Sequence, residues 1–291
     1  MSDYRWTSLD NMSPLDSWYY RDKLGVRFYD PQEWGWSQSQ GNYDNYLHTY
    51  RRFGLLPAKK PVISPAKPKL NIVDLEGAST SIDFTESLTG RVEYSRRQGT
   101  FRYVTFAPRK YWDEIFRDVT NALNGKLKWI VLDEDFAWFY VGRLTVGNPE
   151  YRKDKMFISI TADLEPYKRS MIGTLDDWLW NPLNLYNGII YDSTFQDGII
   201  VPEGETTSVS LNCRGEPSTF VIKVMSRATD LTVTLINERT PSTGITHTIR
   251  AVNGGDFVFS DFISGYEENT FIFTSPTEQV VLTVDYRELS L

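Results

Sequence analysis

Residues 111–143 read YWDEIFRDVTNALNGKLKWIVLDEDFAWFYVGR, a helical pattern that runs directly into a strand pattern. Trp112, Ile115, Phe116, Val119 and Leu123 recur at i, i+3, i+4, i+7 and i+11. That spacing lays apolar groups along one face of a helix, predicted here over about 109–124. Pro108 stands near its start and Gly125 just past its end, where a left-handed residue closes a helix. The period then drops to two. Lys126–Leu132 reads as a strand, Asp133-Glu134-Asp135 as a polar turn, and Phe136–Val146 as the returning strand. Met156, Ile158, Ile160 and Ala162 alternate onto one face of a further strand, Met156–Leu164, which Glu165-Pro166 ends.

Upstream, Leu24–Tyr29 reads as a first strand, and Arg91–Tyr94 with Thr100–Phe106 as a hairpin turned at Gln98-Gly99. Between them lies a basic, proline-rich loop at about 38–70. Pro57, Pro61, Pro65 and Pro68 alternate there with Lys59, Lys60, Lys67 and Lys69. Prolines at that density break helices and central strands. A long loop in a compact domain is commonly an interaction arm, and here it reads as a solvated or docking face rather than a nucleic-acid site. Residues 1–24 mix Trp6, Leu9, Met12, Leu15 and Trp18 at no regular spacing around Pro14. They read as an arm, docked either on a partner or on its own domain.

Downstream, residues 169–190 form a junction in which Trp178, Trp180, Leu183 and Leu185 are too apolar for a free linker. From Gly188 the chain is a succession of short β-prone runs. They are Thr207–Leu211, Thr219–Val224, Leu231–Ile236, Thr246–Val252, Asp256–Phe259, Thr270–Phe273 and Val280–Tyr286. Gly204, Gly215, Asn253-Gly254-Gly255 and Ser264-Gly265 punctuate them, the pattern of a β-sandwich.

Charge and tryptophan divide the chain in the same place. Residues 1–170 carry 25 Lys+Arg and 22 Asp+Glu, whereas residues 171–291 carry 6 and 16, within a net charge of −7. All nine Trp lie at or before Trp180. Two domains follow, neither basic enough for a dedicated nucleic-acid binder. An aromatic content of 14% argues against disorder. No apolar run has the length of a membrane span, and Met1–Asp10 lacks the apolar core of a signal peptide. The single Cys213 excludes an internal disulfide, and with only His48 and His247 it makes a structural zinc site improbable.

A search for catalytic groups finds little. No glycine-flanked serine elbow and no phosphate-binding glycine loop occurs. Cys213, at an expected strand end, reads as an inert buried thiol. Asp133, Glu134 and Asp135 could in principle supply a pair of glycosidase carboxylates, but neighbours on a tight turn point into solvent, so a solvated hairpin tip is expected. The cluster also lacks the spaced oxygen ligands of a calcium loop. No cofactor and no metal is expected. Tyr191, Phe195, Tyr266 and Tyr286 could stack on a sugar, though such residues are more often core, and His247 to Arg250 only superficially echoes a lectin strand. The chain reads as a structural or binding protein rather than an enzyme.

One ordered series of motifs is more specific. It runs from the helix Tyr111–Asn124 through Gly125-Lys126, Ile130 to Asp135, Phe139 to Arg143, Ile158 to Leu164 and Glu165 to Lys168. With Leu24 to Phe28, Asn71 to Gly77, Ile82 to Gly90 and the junction Trp178 to Asn184, it resembles the distal tail protein (Dit) family of long-tailed bacteriophages. The resemblance covers about residues 24–190. It implies a tail-tube-like β-sandwich or barrel with one α-helix over 25–175 and a galectin-like β-sandwich over 176–291. It also implies a homohexameric ring at the end of the tail tube, joining tube protein to tail hub. Such a ring is a platform for receptor-binding or baseplate proteins, with viral DNA only in transit through its channel. The corresponding location is the virion tail tip, assembled in the host cytoplasm, with no membrane insertion. Trp6, Trp18, Lys59, Lys60, Asp133, Glu134, Asp135, Trp178 and Trp180 are then the candidate subunit or partner contacts. The alternative is a carbohydrate-binding sandwich adhesin.

Overall fold

The computed structural model describes residues 25–30, 46–74, 80–87, 90–174, 198–266 and 268–291. The protein is mainly β, and its described residues fall into two compact units. One holds residues up to Lys168 together with Leu291, and the other runs from Arg169 to Ser290.

The first unit contains β1 (Val26–Tyr29), β2 (Leu47–His48), α1 (Thr49–Phe53), β3 (Leu56–Pro57), β4 (Val62–Ile63), β5 (Ile72–Asp74), β6 (Ser81–Asp83) and β7 (Arg97–Thr105). After these come α2 (Trp112–Leu123), β8 (Leu127–Leu132), β9 (Trp138–Val146), β10 (Glu150–Tyr151) and β11 (Met156–Leu164). Its main sheet has the order β2-β1-β8-β9-β11-β7-β3, with β10 on β11 and β4 on β7. The pairings whose register is resolved are antiparallel, from β1 on β8 through β8 on β9 and β9 on β11 to β11 on β7.

The helix expected from the periodicity is α2, entered through a single 3-10 turn at Arg109–Tyr111. Trp112, Ile115, Val119 and Leu123 are buried in the same core as Phe101, Tyr103, Ile130, Leu144 and Ile158. Each such burial contributes roughly 1.5–3 kcal/mol, more than the ~1 kcal/mol of a good N-cap. Packing therefore holds this helix, whose N-cap Tyr111 makes no side-chain capping bond. Gly125 follows at φ 73°, and its N–H donates to Leu144 O at 2.8 Å. Asn124 Oδ1 accepts from Val146 N at 3.0 Å, so the helix end is stitched onto β9. The expected strands are β8, β9 and β11, the last with the expected bounds.

Two upstream readings are corrected. Gln98-Gly99 is not a turn, because β7 runs straight through it and Gly99 pairs with Ala162. Space there is tight, since a Cβ would lie 3.0 Å from Phe101 Cζ and 3.3 Å from Leu164 Cδ1. Arg91–Tyr94 makes only one bridge, Tyr94 to Pro68. The proline-rich stretch is also not all loop. Its described part carries α1, β3 and β4, and the two strands lie along β7 with Pro57 in the terminal strand of the path, where its missing N–H costs no ladder bond.

The second unit begins with β12 (Lys168–Gly173), which opens on the last residue of the first, followed by β13 (Ile199–Val201), β14 (Thr206–Asn212), β15 (Thr219–Val224) and β16 (Ala228–Ile236). It continues with β17 (Ile245–Ala251), β18 (Gly255–Ile263), β19 (Glu268–Thr274), β20 (Val280–Asp285) and β21 (Arg287–Ser290). Two four-stranded sheets, β13-β20-β15-β18 and β14-β19-β16-β17, contribute to one hydrophobic core. Phe220 of β15 meets Phe271 of β19 edge-on at 4.8 Å. This is the expected sandwich, and β20, the last of the expected runs, is one of its inner strands. β21 pairs with β12 outside the two sheets.

Gly142 tests the packing of the first unit. A Cβ there would sit 2.5 Å from Asp163 O and 2.6 Å from Leu164 Cδ2, so glycine lets β9 and β11 approach this closely. Gly142→Ala should destabilise the chain by about 1–3 kcal/mol in urea unfolding; an unchanged midpoint would show that β9 and β11 are less tightly packed than described.

Candidate interface residues

The turn between β8 and β9 is not the solvated tip expected of three consecutive acids. Asp133 turns inward, and its side chain is 1% exposed. Arg27 Nε of β1 donates to Oδ1 at 2.7 Å, and His48 Nε2 of β2 lies 2.9 Å from Oδ2. The main chain joins in, because Asp133 N donates to Gly25 O at 3.1 Å. A Cβ on Gly25 would fall 2.3 Å from Asp133 Oδ2 and 2.5 Å from His48 Nε2, so the pair forms only beside a glycine.

His48 is also the N-cap of α1. Its Nδ1 accepts from Tyr50 N at 3.1 Å and Arg51 N at 3.3 Å. A nitrogen accepting two backbone N–H groups carries no proton, so the ring proton sits on Nε2 and is donated to Asp133. Burial alone would raise the Asp133 carboxyl, but the hydrogen bonds from His48 and Arg27 and the charge of Arg27 hold it below its ordinary value near 3.8. Arg27 in turn lies 5.2 Å above the Tyr46 ring. The fully buried Tyr103 hydroxyl has no hydrogen-bond partner among the described residues, and its pKa is pushed up by burial and by the Asp133 charge.

The other two acids remain near the surface in ion pairs. Glu134 meets Lys60 at 2.8 Å, and Asp135 meets Lys168 at 3.1 Å, with Lys168 Nζ 4.9 Å above the Trp138 ring. Exposed pairs of this kind are worth about 0–1 kcal/mol and can be exchanged for a partner's charges at little cost. Lys59 is exposed. The structure thus brings Lys60 and Glu134 together and removes Asp133 from the accessible set. Trp6, Trp18, Trp178 and Trp180 lie outside the described residues, as do Tyr191 and Phe195.

In the second unit, His247 and Arg250 lie on opposite faces of β17. His247 stacks on Phe259 at 4.2 Å and bonds Asp261, whereas Arg250 points outward to Asp230. Residues three apart on a strand cannot share a face, so the lectin-like run presents no common polar surface. Tyr286 is buried and donates to Arg214 O at 2.7 Å, and Tyr266 is exposed beneath Arg239. Cys213 is buried, and its thiol is pushed up to about 12 by burial. Among the described residues, no three His, Cys, Asp or Glu are grouped to hold a metal ion, and no helix is long and apolar enough to cross a membrane.

Sequence reasoning missed the cap role of His48 and the inward turn of Asp133. Asn71 to Gly77 and Ile82 to Gly90, which the family resemblance reads as early strands, contribute the hairpin β5–β6, in which all six residues are exposed. Ile72, Val73 and Ile82 stand out from it, and Pro68, Leu70, Asp83, Thr85, Val92 and Tyr94 are among the residues lining a groove at its base.

No family profile matches the chain, and no curated protein matches it by sequence. Among solved structures, the chain is similar to the Dit (gp 19.1) protein of SPP1, described as a paradigm of the hub adsorption apparatus in phages that infect Gram-positive hosts. The match has 12% identity and a TM-score of 0.44 over 81% of this chain and 94% of that one.

Asp133→Ala should destabilise the chain by about 3–5 kcal/mol, because it leaves Arg27 and the His48 N–H facing an empty site. The stability that Asp133 contributes is complete above its ordinary value near 3.8 and is lost as pH falls through its lower folded value. Acid unfolding followed by tryptophan fluorescence should therefore be shallower in Asp133→Asn; an unaltered profile would contradict the assignment. Cys213 should react with a thiol reagent only as fast as the chain unfolds, and rapid labelling of the native protein would contradict its burial.

Proposed function

We propose that this chain is a structural component of a long-tailed phage virion, the distal tail protein that closes the tail tube. Six copies form a ring at the end of the tube, join tube protein to tail hub, and carry receptor-binding or baseplate proteins. The ring surrounds a channel through which DNA passes. In this reading residues 25–175 build the ring, residues 176–291 form a galectin-like sandwich presented to partners, and residues 1–24 are an arm to a neighbour. Assembly takes place in the host cytoplasm without membrane insertion, and no catalytic step is required.

The observation that supports this most is the ordered run from Trp112 to Leu164. The motifs that carry the family resemblance are the same residues that make α2, the Gly125 stop, β8, the acidic turn, Gly142 and β11. They form one helix-to-sheet unit rather than scattered similarities. The remaining candidate contacts are Trp6, Trp18, Lys59, Lys60, Glu134, Asp135, Trp178 and Trp180. A ring requires a heterologous contact that closes by rotation, with different surfaces given and received by each copy.

Native mass spectrometry of the full chain should show six copies of the 33.7 kDa subunit in one species. A chain that stays monomeric at every concentration tested, while binding immobilised cell-wall saccharide, would instead support the adhesin reading.

A further inference from the structure

The end of β7 and the turn from β10 into β11 meet, because Met156 pairs with Thr105 and Arg152 N closes the turn on Lys155 O at 2.9 Å. Both stretches are basic. Arg109 and Lys110 stand between β7 and α2, and Arg152, Lys153 and Lys155 stand on the turn. Side-chain contacts join them into one surface. Arg102 of β7 and Arg152 hold the two oxygens of Glu150 at 2.5 and 2.8 Å. Both guanidinium groups lie 5.0 Å from the centre of the Phe157 ring. Lys155 Nζ lies 5.9 Å from the Phe106 ring. Tyr151 stacks on Trp112 at 5.7 Å, and Arg109 approaches the same Trp112 ring at 5.8 Å.

This surface holds more cations than the described chain neutralises. Arg102 and Arg152 share Glu150, whereas Arg109, Lys110, Lys153 and Lys155 make no ion pair among the described residues. Lys110 lies 4.7 Å from the Tyr111 ring, so three of these four rest on rings instead. Such a contact compensates an exposed cation by about 0.5–1 kcal/mol and leaves its N–H groups able to donate. Rings are presented as well. Phe106 is 38% exposed and Tyr151 50%, the latter braced on the buried Trp112. Arginine and aromatic side chains are enriched at the centres of protein–protein contacts.

The arrangement of charge also selects the kind of anion. Glu150, Asp154 and Asp113 are exposed among the cations, and the bond from Arg152 keeps the Glu150 carboxyl below its ordinary range. A phosphodiester chain carries unbroken negative charge and meets these acids wherever it lies. A peptide can set separate carboxylates on the cations and apolar groups on the rings between them.

We propose that this surface docks an acidic segment of a partner protein. The segment's carboxylates lie on Arg109, Lys110, Lys153 and Lys155, and its apolar side chains lie on Phe106 and Tyr151. The surface belongs to one unit of one chain, so it serves in a single copy as well as in a ring.

Fluorescence anisotropy of the full chain tests this with two labelled probes, a soluble peptide repeating Glu-Glu-Tyr and an oligothymidylate of matched charge. The peptide should bind the wild type more tightly than the oligonucleotide does, and more weakly as salt rises. Lys110→Glu with Lys153→Glu should weaken peptide binding by about tenfold or more. Lys67→Glu with Lys126→Glu makes the same change of charge elsewhere, since Lys67 bonds Ser95 before the start of β7 and Lys126 follows the far end of α2. That pair should change binding by less than about twofold, because exposed charges beyond a screening length contribute little. Should the first pair lower the urea midpoint, Lys153→Glu alone, in the exposed turn and without a ring contact, carries the test and should still weaken binding. Equal losses from the two pairs would reduce the effect to net charge and overturn the inference. Absence of peptide binding at low salt would overturn it, and tighter binding of the oligonucleotide would replace it with a nucleic-acid surface. Each outcome is read from a single copy or a ring alike and leaves the ring reading intact.

Discussion

Asp133 is the point at which the first unit is tied together. Its carboxylate receives Arg27 from β1 and His48 from β2, while its own N–H returns to Gly25. Through the other nitrogen of His48 the same bond reaches the first turn of α1, a five-residue helix too short to form alone. Three stretches distant in sequence, residues 25–29, residues 47–53 and the β8–β9 turn, are therefore tied together by one acid. Because Asp133 and His48 are buried, losing the acid strands the His48 N–H and a half-buried Arg27 without their partner. The placement of β2, α1 and the start of the proline-rich stretch along the sheet follows from it.

This constraint also separates what was legible in the sequence from what was not. Period-3.6 and period-2 patterns depend on one face meeting one core, so α2, β8, β9, β11 and the sandwich strands could be read directly. The readings that failed all depend on contacts between distant residues. Gln98-Gly99 has turn composition, but Gly99 lies within β7, paired with Ala162 and packed close to Phe101 and Leu164. Asp133 has the local setting of a solvated turn residue, and only the return of His48 and Arg27 makes it internal. His48 at a helix start is an uncommon cap, legible only once Nε2 has a carboxylate to hold its tautomer. Of the candidate contacts, Lys60 and Glu134 were placed in one set without any sign that they pair. Gly25, in the run Leu24 to Phe28, makes room for the pair, and nothing local marked it as a close approach.

The two units put their polar groups to different uses. In the sandwich, hydroxyls pair across strands, as Thr206 with Thr274 and Thr234 with Thr246, and ion pairs such as Arg250 with Asp230 stay at the surface. In the first unit, charges enter the interior: Lys128 and Asp133 meet opposite charges, and Arg97 lies over the Tyr140 ring with no carboxylate partner among the described residues. A rigid polar scaffold with one apolar hairpin uncovered among the described residues fits the proposed role of a building block completed by assembly.

Imaging of single particles of the purified full chain by electron microscopy tests that claim most directly. The account predicts six-fold class averages with an open channel at the centre. Particles of one-chain size without rotational symmetry, at concentrations well above those of the tail proteins in an infected cell, would contradict it.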